Sequence, residues 1–340
     1  MDILVYQGAR RLELTRSERP HLLPGEAIIR VEAAGICGSE LEGYLGHSSV
    51  RVPPLVMGHE FCGVIEEMAP DASGFQVGDK VIVNPLIPCG SCDRCDRGRP
   101  NICRNRQIIG IHRPGAFAQY VAVPVKNMYN VAGDMDSNLA SLAEPLAVCI
   151  HAIKLGLQPF EGLMIYGAGP IGLLTLQVAL NMGAPKVLVI DRQPERLAFA
   201  KRLGAEAAIP EEVHEKLASV FSGHGVDAII DCVGVLATRE QAIQLINPGG
   251  SVILVGLGQD QTALSMNHVV RQEVSLIGSY TYSNADFEQA VNLLVQGSIS
   301  MSDWATTCGL AEAPSVFAAL ADGSAKFSKY VINPNGGNHT

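Results

Sequence analysis

Leu163-Met-Ile-Tyr-Gly-Ala-Gly-Pro-Ile-Gly172 is the stretch that decides how this chain folds. Four apolar or aromatic residues lead into a Gly-x-Gly-x-x-Gly motif, and an apolar run of helical length follows. We interpret the stretch as a strand, a tight turn and a helix. Gly167 permits the turn, Gly169 lets the backbone approach a pyrophosphate at the helix N-terminus, and Gly172 lets the helix lie close to the strand. The residues of this loop predicted to contact a dinucleotide are Gly167, Gly169, Pro170, Ile171 and Gly172.

A second apolar run, Lys186-Val-Leu-Val-Ile-Asp191, ends in an acid 19 residues beyond Gly172. A carboxylate at this distance can accept the hydroxyls of the adenosine ribose and repels a 2′-phosphate, so the sequence predicts NAD rather than NADP. No charge falls between Leu163 and Ala184, a length that would also suit a membrane span. Because four glycines and a proline interrupt that run, we predict a buried parallel strand with its crossover helix and no membrane contact.

Composition limits the classes of function. The chain has 340 residues, enough for two domains, and a net charge of −9 without a basic block, which argues against nucleic acid and anionic membranes as partners. The first residues show no charged leader followed by an apolar core, so we expect a cytoplasmic protein. Nine cysteines in that setting indicate metal ligands and free thiols rather than disulfides.

The pattern of apolar residues along the chain changes near residue 150. Before it, short alternating runs broken by turn signals predict a β-rich, barrel-like domain over residues 1–150, to which a strand near the C-terminus returns within 297–340. Residues 151–296 alternate between helix and strand and predict a doubly wound parallel sheet. The predicted strands of that sheet are 163–166, 187–190, 227–230, 251–255 and 274–278, and the predicted helices are 170–182, 194–203, 238–246 and a last one near 285–296.

Four cysteines stand close together in the order C-x₂-C-x₂-C-x₇-C, namely Cys89, Cys92, Cys95 and Cys103. Four thiolates can close a tetrahedron around zinc with no open position, which is typical of a structural site. The same ligands would also suit an iron–sulfur cluster, and the remaining alternative is a plain loop. We predict a structural zinc that stabilises a lobe with little core of its own.

A second set of metal ligands is dispersed along the chain: Cys37, His59, Glu60 and Glu144. Each has an ordinary structural explanation on its own, since cysteine is often a buried hydrophobe and Glu-Pro can start a helix. Together they can hold a zinc with three protein ligands and one position open for substrate oxygen.

With these residues in view, the chain resembles the zinc-dependent medium-chain dehydrogenases from end to end. The motifs that carry the resemblance are the four-cysteine lobe, Gly58-His-Glu-Phe-Cys-Gly63, Val77-Gly-Asp-Lys-Val81, Gly167-Ala-Gly-Pro-Ile-Gly172 and Asn247-Pro-Gly-Gly-Ser-Val252. Glu144 stands where ethanol-type enzymes have a cysteine, which is similar to the polyol and threonine dehydrogenase branch. The resemblance implies a GroES-like catalytic domain, a Rossmann NAD-binding domain, two zinc ions per chain and a homo-oligomer, either a dimer or a tetramer.

The resemblance also implies roles for individual residues. Cys37 and His59 would bind the catalytic zinc, and either Glu60 or Glu144 would be the direct third ligand. Ser39 would take the proton of the substrate hydroxyl. The other implied contacts are Arg196 at the adenosine end of NAD, Val255, Leu257, Ser279 and Thr281 near the nicotinamide, and Tyr282 near the substrate.

The chain departs from its relatives around the same site. Glu42 stands three residues after Ser39, where many relatives have a histidine that passes the proton to solvent, and Glu40 replaces the usual aspartate. Tyr282 is retained from an Arg-Tyr pair of polyol enzymes, but Thr281 replaces the arginine, which weakens an assignment to sorbitol itself. Arg51 could meet an anionic substrate, although a surface-loop role fits the sequence equally well.

These features predict an NAD-dependent zinc enzyme that oxidises a secondary alcohol of a polyol, a sugar alcohol phosphate or a sugar acid to the ketone. A threonine 3-dehydrogenase activity is the alternative within the same class, suggested by Gly110-Ile-His-Arg-Pro-Gly-Ala-Phe-Ala118. The alternative from a different class is a non-catalytic NAD-binding protein on the same fold. That protein would be expected to have lost its zinc ligands, whereas Cys37, His59, Glu60 and Glu144 are all present.

Overall fold

A computed structural model describes residues 1–156 and 162–336 of the protein. The chain divides into two compact units, of which the first comprises Met1–Glu144 and the described part of Ser283–Thr340. The second unit comprises the described part of Pro145–Tyr282. Within the described residues, no helix is both long and apolar enough to cross a bilayer.

The described residues contain eighteen strands: β1 (Asp2–Gly8), β2 (Arg11–Arg16), β3 (Glu26–Gly35), β4 (Leu55–Val56), β5 (Glu60–Met68), β6 (Lys80–Val83), β7 (Leu86–Ile87), β8 (Gln107–Ile108), β9 (Tyr120–Pro124), β10 (Met128–Val131), β11 (Leu163–Tyr166), β12 (Val187–Ile190), β13 (Glu206–Ala208), β14 (Val226–Asp231), β15 (Ile246–Leu254), β16 (Ser275–Gly278), β17 (Ala305–Gly309) and β18 (Lys329–Asn333).

The same residues contain eleven α-helices: α1 (Gly38–Tyr44), α2 (Asp93–Asp96), α3 (Ser137–Ala140), α4 (Ala143–Gly156), α5 (Pro170–Asn181), α6 (Pro194–Arg202), α7 (Val213–Val220), α8 (Leu236–Leu245), α9 (Met266–Arg271), α10 (Asn284–Val295) and α11 (Ala313–Ala321). Three short 3₁₀ turns lie at Pro100–Ile102, Val125–Asn127 and Pro210–Glu212.

The first unit is built on a seven-stranded sheet in which β3 is central. The strand order is β10-β6-β5-β3-β18-β17, and β9 also pairs with β3. Most residues of β3 are buried, including the apolar ones, while Arg30 and Glu32 are only half-buried. Its last residue, Gly35, lies opposite both Glu60 of β5 and Val331 of β18. Three strand ends therefore meet where β3 delivers the chain to Cys37, and this junction positions the site.

The second unit is a six-stranded parallel sheet in the order β13-β12-β11-β14-β15-β16. Counted along the unit, this order is 3-2-1-4-5-6, the arrangement of a Rossmann fold, and the predicted doubly wound sheet is confirmed. The five predicted strands and the four predicted helices are all present, with ends shifted by up to five residues. The strand β13 was not predicted, because only three residues, Glu206–Ala208, pair there.

The division into units differs from the predicted domain boundaries. Helix α10 was expected to be the last helix of the nucleotide-binding domain, but the contact division places it in the first unit. The ring of Phe287 packs 5.0 Å from that of Tyr129 in β10, and the Asn84 amide donates to Asn284 at the start of the helix. Helical periodicity alone does not reveal the unit on which a helix packs. The predicted return over 297–340 includes residues 337–340, which lie outside the described residues.

Candidate active site and metal centres

Three of the dispersed candidate ligands lie together. Cys37 is the N-cap of α1, directly after β3, while His59 and Glu60 lie at the start of β5. The Cys37 sulfur, a ring nitrogen of His59 and a carboxylate oxygen of Glu60 are all within 4.8 Å of one another. Since β3 and β5 pair antiparallel with Gly35 opposite Glu60, the end of one strand and the start of the other fall at the same point.

Glu40 fixes this cluster from behind. Its side chain is fully buried, and Oε1 accepts hydrogen bonds from the Gly58 amide and from Nδ1 of His59, both at 2.8 Å. Oε2 accepts from the Cys37 amide at 3.0 Å. Because Nδ1 is the donor to Glu40, a neutral His59 presents the lone pair of Nε2 as its ligand atom.

The charges of the cluster favour a bound cation. Burial opposes a charged imidazole, yet the Glu40 carboxylate and the Cys37 sulfur raise the pKa of His59 well above its usual range. The same anionic groups would attract a metal cation bound at this point, with His59 neutral. A soft thiolate, an imidazole and a carboxylate are a donor set that zinc accepts, so the residues fit a catalytic zinc with one open position.

Lys329, at the first position of β18, contacts Glu60 and was not predicted as a site residue. Its Nζ donates to a Glu60 oxygen and, at 3.0 Å, to the carbonyl of Ile36, and both side chains are 2% exposed or less. Burial favours the neutral amine, but Glu60 and Cys37 outweigh it and raise the pKa of Lys329. A Cβ on Gly35 would meet both Glu60 and Lys329, so glycine is needed for this approach.

Ser39 lies in the first turn of α1, next to the cluster. Its hydroxyl donates to the Cys37 sulfur at 3.3 Å and accepts from Nη2 of Arg51 at 3.0 Å. Glu42, which stands where many relatives have a proton-passing histidine, is exposed and forms a hydrogen bond of 3.0 Å with the exposed His47. Arg51 is only 5% exposed, so the surface-loop interpretation of this residue was wrong.

Glu144 is buried in the first turn of α4. Its carboxylate is not part of the group formed by Cys37, His59 and Glu60. The structure therefore brings together three of the four dispersed ligand candidates.

The four cysteines of the lobe converge as their spacing predicts. All four sulfurs lie within 4.8 Å of one another, and the distances include 3.4 Å between Cys89 and Cys103 and 3.7 Å between Cys92 and Cys95. A zinc with bonds of about 2.3 Å requires sulfurs about 3.8 Å apart at the corners of a tetrahedron. Backbone amides of Cys95 and Arg104 lower the pKa of Cys92 to about 6, which favours the thiolate that a metal binds. The lobe fits a structural zinc, and no disulfide joins these cysteines.

The glycine loop follows β11 in the second unit. Gly167 has φ +96°, and a Cβ on Gly172 would collide with the Gly167 carbonyl. A Cβ on Gly169 would meet no atom within 4 Å, so the backbone there faces open space at the N-terminus of α5. Pro170 and Ile171 form the first turn of that helix, whose free amides suit phosphate oxygens.

Asp191 directly follows β12, beside this loop. Its Oδ2 accepts from the Ala168 amide at 2.7 Å, and Oδ1 accepts from the Gln193 amide at 2.8 Å. These bonds hold the carboxylate at the edge of the loop, where an adenosine ribose can reach it. Arg196 lies in the first turn of α6, half-buried.

The remaining cofactor candidates follow the carboxyl ends of β15 and β16, where ligands bind to open α/β sheets. Val255 donates its amide to the Asp231 carbonyl at 3.0 Å, and Leu257 is 81% exposed. The Ser279 amide donates to the Leu254 carbonyl at 2.9 Å. Thr281 adopts φ +51°, an unfavourable conformation for a β-branched residue, and Tyr282 is buried at the end of the unit.

Comparison with known proteins identifies the family. Residues 23–133 match the alcohol dehydrogenase GroES-like domain, and residues 170–296 match the zinc-binding dehydrogenase domain. The chain is 33% identical over 286 residues to the sorbitol dehydrogenase of Halalkalibacterium halodurans, covering 82% of this chain and 83% of that protein. The chain belongs to the zinc-dependent medium-chain dehydrogenases.

Other relatives of this dehydrogenase differ in the alcohol that they are named for. The L-threonine 3-dehydrogenase of Pyrococcus furiosus is 34% identical over 264 residues, which are 76% of each chain. Among solved structures, galactitol-1-phosphate dehydrogenase from Escherichia coli has a TM-score of 0.91 at 28% identity and covers 98% of this chain and 100% of its own. A structure from Escherichia coli CFT073 in complex with NADH also has a TM-score of 0.91 at 28% identity, and covers 98% and 99%.

Three polar residues of the dehydrogenase site were not assigned these contacts from sequence. The sequence shows Glu40 only as a replacement of the usual aspartate, whereas in the structure its carboxylate accepts hydrogen bonds from His59 and the Cys37 amide. Lys329 lies 269 residues from Glu60, and no local signal joins the two. For Arg51 the sequence shows a cation in a loop, which does not reveal whether the side chain points inward.

Proposed function

We propose that this dehydrogenase oxidises a secondary alcohol of a polyol or sugar derivative to the ketone, with NAD as the hydride acceptor. The observation that carries the proposal is the convergence of Cys37, His59 and Glu60 within 4.8 Å, with the Ser39 hydroxyl 3.3 Å from the Cys37 sulfur. This arrangement places a polar hydroxyl beside a metal-binding set that leaves one position for a substrate oxygen.

Cys37, His59 and Glu60 would hold the catalytic zinc, and Glu60 rather than Glu144 is the proposed third ligand because only Glu60 lies within the group. When bound, zinc supplies Lewis acidity that lowers the pKa of the substrate hydroxyl. The four cysteines of the lobe would hold a second, structural zinc.

The protein's own residues perform three tasks in this proposal. Glu40 holds His59 in the tautomer and orientation that a metal requires. Ser39 receives the hydroxyl proton and passes it on, while the carbinol hydrogen leaves as hydride to C4 of the nicotinamide, so that alcohol and NAD⁺ become ketone, NADH and a proton. The glycine loop and Asp191 bind the pyrophosphate and the adenosine ribose, and Arg196, Val255, Leu257, Ser279 and Thr281 complete the cofactor site.

The domain assignment, oligomeric state and location are further parts of the proposal. Residues 1–144 together with the segment from 283 onward would form the catalytic domain, with Tyr282 close to the substrate, and residues 145–282 the NAD-binding domain. We propose a homo-oligomer, a dimer or tetramer, in the cytoplasm. All nine cysteines are free thiols, which suits a reducing compartment.

Substrate oxidation by zinc-analysed protein tests the proposal. We expect two zinc ions per chain and NADH formation with one class among alditols, alditol phosphates, aldonates and threonine. Cys37→Ser should lose one zinc and reduce kcat/KM by at least about a hundredfold, because a ligand atom is replaced by a weaker one. Cys308→Ser is the matched control, since Cys308 is a buried thiol of the same unit outside both cysteine-containing clusters.

Turnover of threonine alone would support the amino alcohol alternative. Binding of NADH without a catalytic zinc and without turnover of any of these alcohols would contradict the enzyme proposal and favour the non-catalytic one.

A further inference from the structure

Arg51 is directed inward by its surroundings. It lies in the segment between α1 and β4 and is 5% exposed, whereas its neighbours Val50 and Val52 are 54% and 69% exposed. A Cβ on Gly43 would be only 2.5 Å from the Arg51 Cδ, so the stem of the arginine packs on the bare backbone of α1. Ser39 lies four residues before Gly43 on the same face of the helix, and the guanidinium reaches its hydroxyl at 3.0 Å.

The guanidinium has too few partners for a buried cation. It carries five N–H donors, and within the described residues Ser39 Oγ is the one acceptor of a hydrogen bond from it. Its Nε is buried without a hydrogen-bond partner in that part of the chain. The positive charge of Arg51 helps to lower the pKa of Glu40 against the effect of burial. Glu40 is nevertheless not a hydrogen-bond partner of Arg51, because its two oxygens already accept hydrogen bonds from Cys37, Gly58 and His59.

Such a group is stabilised by an anion. A buried charge without a partner is unfavourable, and the planar fork of arginine matches the two oxygens of a carboxylate or phosphate. An arginine cannot act as a base near neutral pH, so it does not continue a proton relay from Ser39. Its free donors therefore indicate ligand recognition.

We propose that Arg51 binds an anionic group of the substrate, a carboxylate or phosphate, close to the carbinol that is oxidised. This inference rests on the proposed function, in which Ser39 contacts the reacting hydroxyl. Arg51 Nη2 is 3.0 Å from Ser39 Oγ, which is 3.3 Å from the Cys37 sulfur, so the guanidinium lies within about 6 Å of a proposed metal ligand, the Cys37 sulfur. A group bound there is separated from the reacting carbon by only a few bonds, as in a sugar acid or a short sugar phosphate.

Three substrates of matched carbon skeleton test the inference: galactonate, galactitol 1-phosphate and the neutral galactitol. We expect the wild-type enzyme to have a higher kcat/KM for at least one anion than for galactitol. Arg51→Gln should reduce the ratio of kcat/KM for the anionic substrate to kcat/KM for galactitol by about a hundredfold or more, mainly by raising KM for the anion. Arg51→Lys, which keeps the positive charge, should reduce this ratio less. Arg30→Gln is the matched control, because the Arg30 guanidinium pairs with Glu32 on the sheet and should leave the ratio unchanged. The anion with the larger loss identifies the carboxylate or the phosphate as the natural group.

Equal losses for neutral and anionic substrates would overturn the inference and make Arg51 a positioning residue for Ser39. A weaker affinity for NADH without a change in the ratio would overturn it in favour of a cofactor phosphate. Calorimetric binding of galactonate to the enzyme with NADH separates this inference from the proposed function. If the wild type binds galactonate, Arg51→Gln loses that binding and no alcohol is oxidised, the anion site is supported and the proposed reaction is contradicted. If Arg51→Gln does not weaken galactonate binding, the anion site is refuted.

Discussion

Replacement of Lys329 by methionine tests how the catalytic cluster balances its charges. Lys329 and Glu60 are both buried, and the lysine also donates to the Ile36 carbonyl at 3.0 Å. In protein without catalytic zinc, Lys329→Met leaves the Glu60 carboxylate buried and unpaired, which should reduce the free energy of unfolding by about 3–5 kcal/mol. With zinc bound, the metal faces the same carboxylate, so the loss should fall to about 1 kcal/mol, roughly that of the hydrogen bond to Ile36.

By linkage, the difference of about 2–4 kcal/mol must reappear as tighter zinc binding, which corresponds to about a 30- to 700-fold lower Kd. The unfolding part is measured by denaturant titration of Lys329→Met in two backgrounds, the zinc-loaded wild type and Cys37→Ser. The Cys37→Ser background removes the catalytic zinc while the four-cysteine lobe retains its metal. The zinc affinity is measured independently by competition with a chelator.

Lys80→Met is the control for this experiment. Lys80 pairs with Glu32 at 3.2 Å and donates to the Met135 carbonyl at 2.7 Å, away from the metal ligands. Its replacement should therefore cost the same in both backgrounds. The reasoning is refuted if Lys329→Met destabilises both backgrounds equally or weakens zinc binding, since the lysine would then support the carboxylate as a ligand rather than compete for it.

Three other substitutions probe single contacts. Glu40→Gln places an amide where the Cys37 N–H donates, and should weaken catalytic zinc binding by about 10- to 100-fold in a chelator competition. Asp191→Ser removes the carboxylate that would repel a 2′-phosphate, and should raise the NADP to NAD ratio of kcat/KM at least about tenfold in steady-state assays. Burial tends to raise the pKa of Glu32, but hydrogen bonds from Ser137 and Lys80 hold it below its ordinary 4.5. This carboxylate stabilises the fold above that value and loses its effect as the pH falls through its lowered pKa, so denaturant titration should find Glu32→Gln less stable than wild type at neutral pH and no less stable well below pH 4.5.

Local patterns were sufficient for most of the sheet of the second unit. Its longer strands are short apolar runs next to helical patterns, so five of the six strands and the helices α5, α6 and α8 could be predicted within a few residues, whereas β13, α7 and α9 were missed. The glycine loop could be interpreted because its glycines are required for steric reasons. Gly167 has a positive φ, and a Cβ on Gly172 would collide with the Gly167 carbonyl. The cysteine lobe was predictable for the same reason, since its four ligands lie within fifteen residues of sequence.

Long-range pairing was beyond such patterns. The position of Lys329 depends on β18 pairing antiparallel with β3, a contact between segments almost 300 residues apart. The packing of α10 on the first unit depends in the same way on Tyr129 and Asn84, which are distant in sequence. Arg51 was ambiguous because its burial depends on the bare backbone of Gly43, which the sequence shows only as one glycine among 35.

The two buried cations, Lys329 and Arg51, explain why the site should prefer an anionic substrate once zinc is bound. Among the groups that contact one another around Cys37, the anions are the thiolate itself, Glu40 and Glu60, and the cations are Lys329 and Arg51. With a divalent zinc the positive charges exceed the negative ones by one, and a neutral His59 does not change this. Lys329 already has Glu60 as its partner, so the excess resides at Arg51, next to the hydroxyl that takes the substrate proton. The same positive charge would attract a substrate carboxylate or phosphate and stabilise the negative charge that develops on the alcohol oxygen.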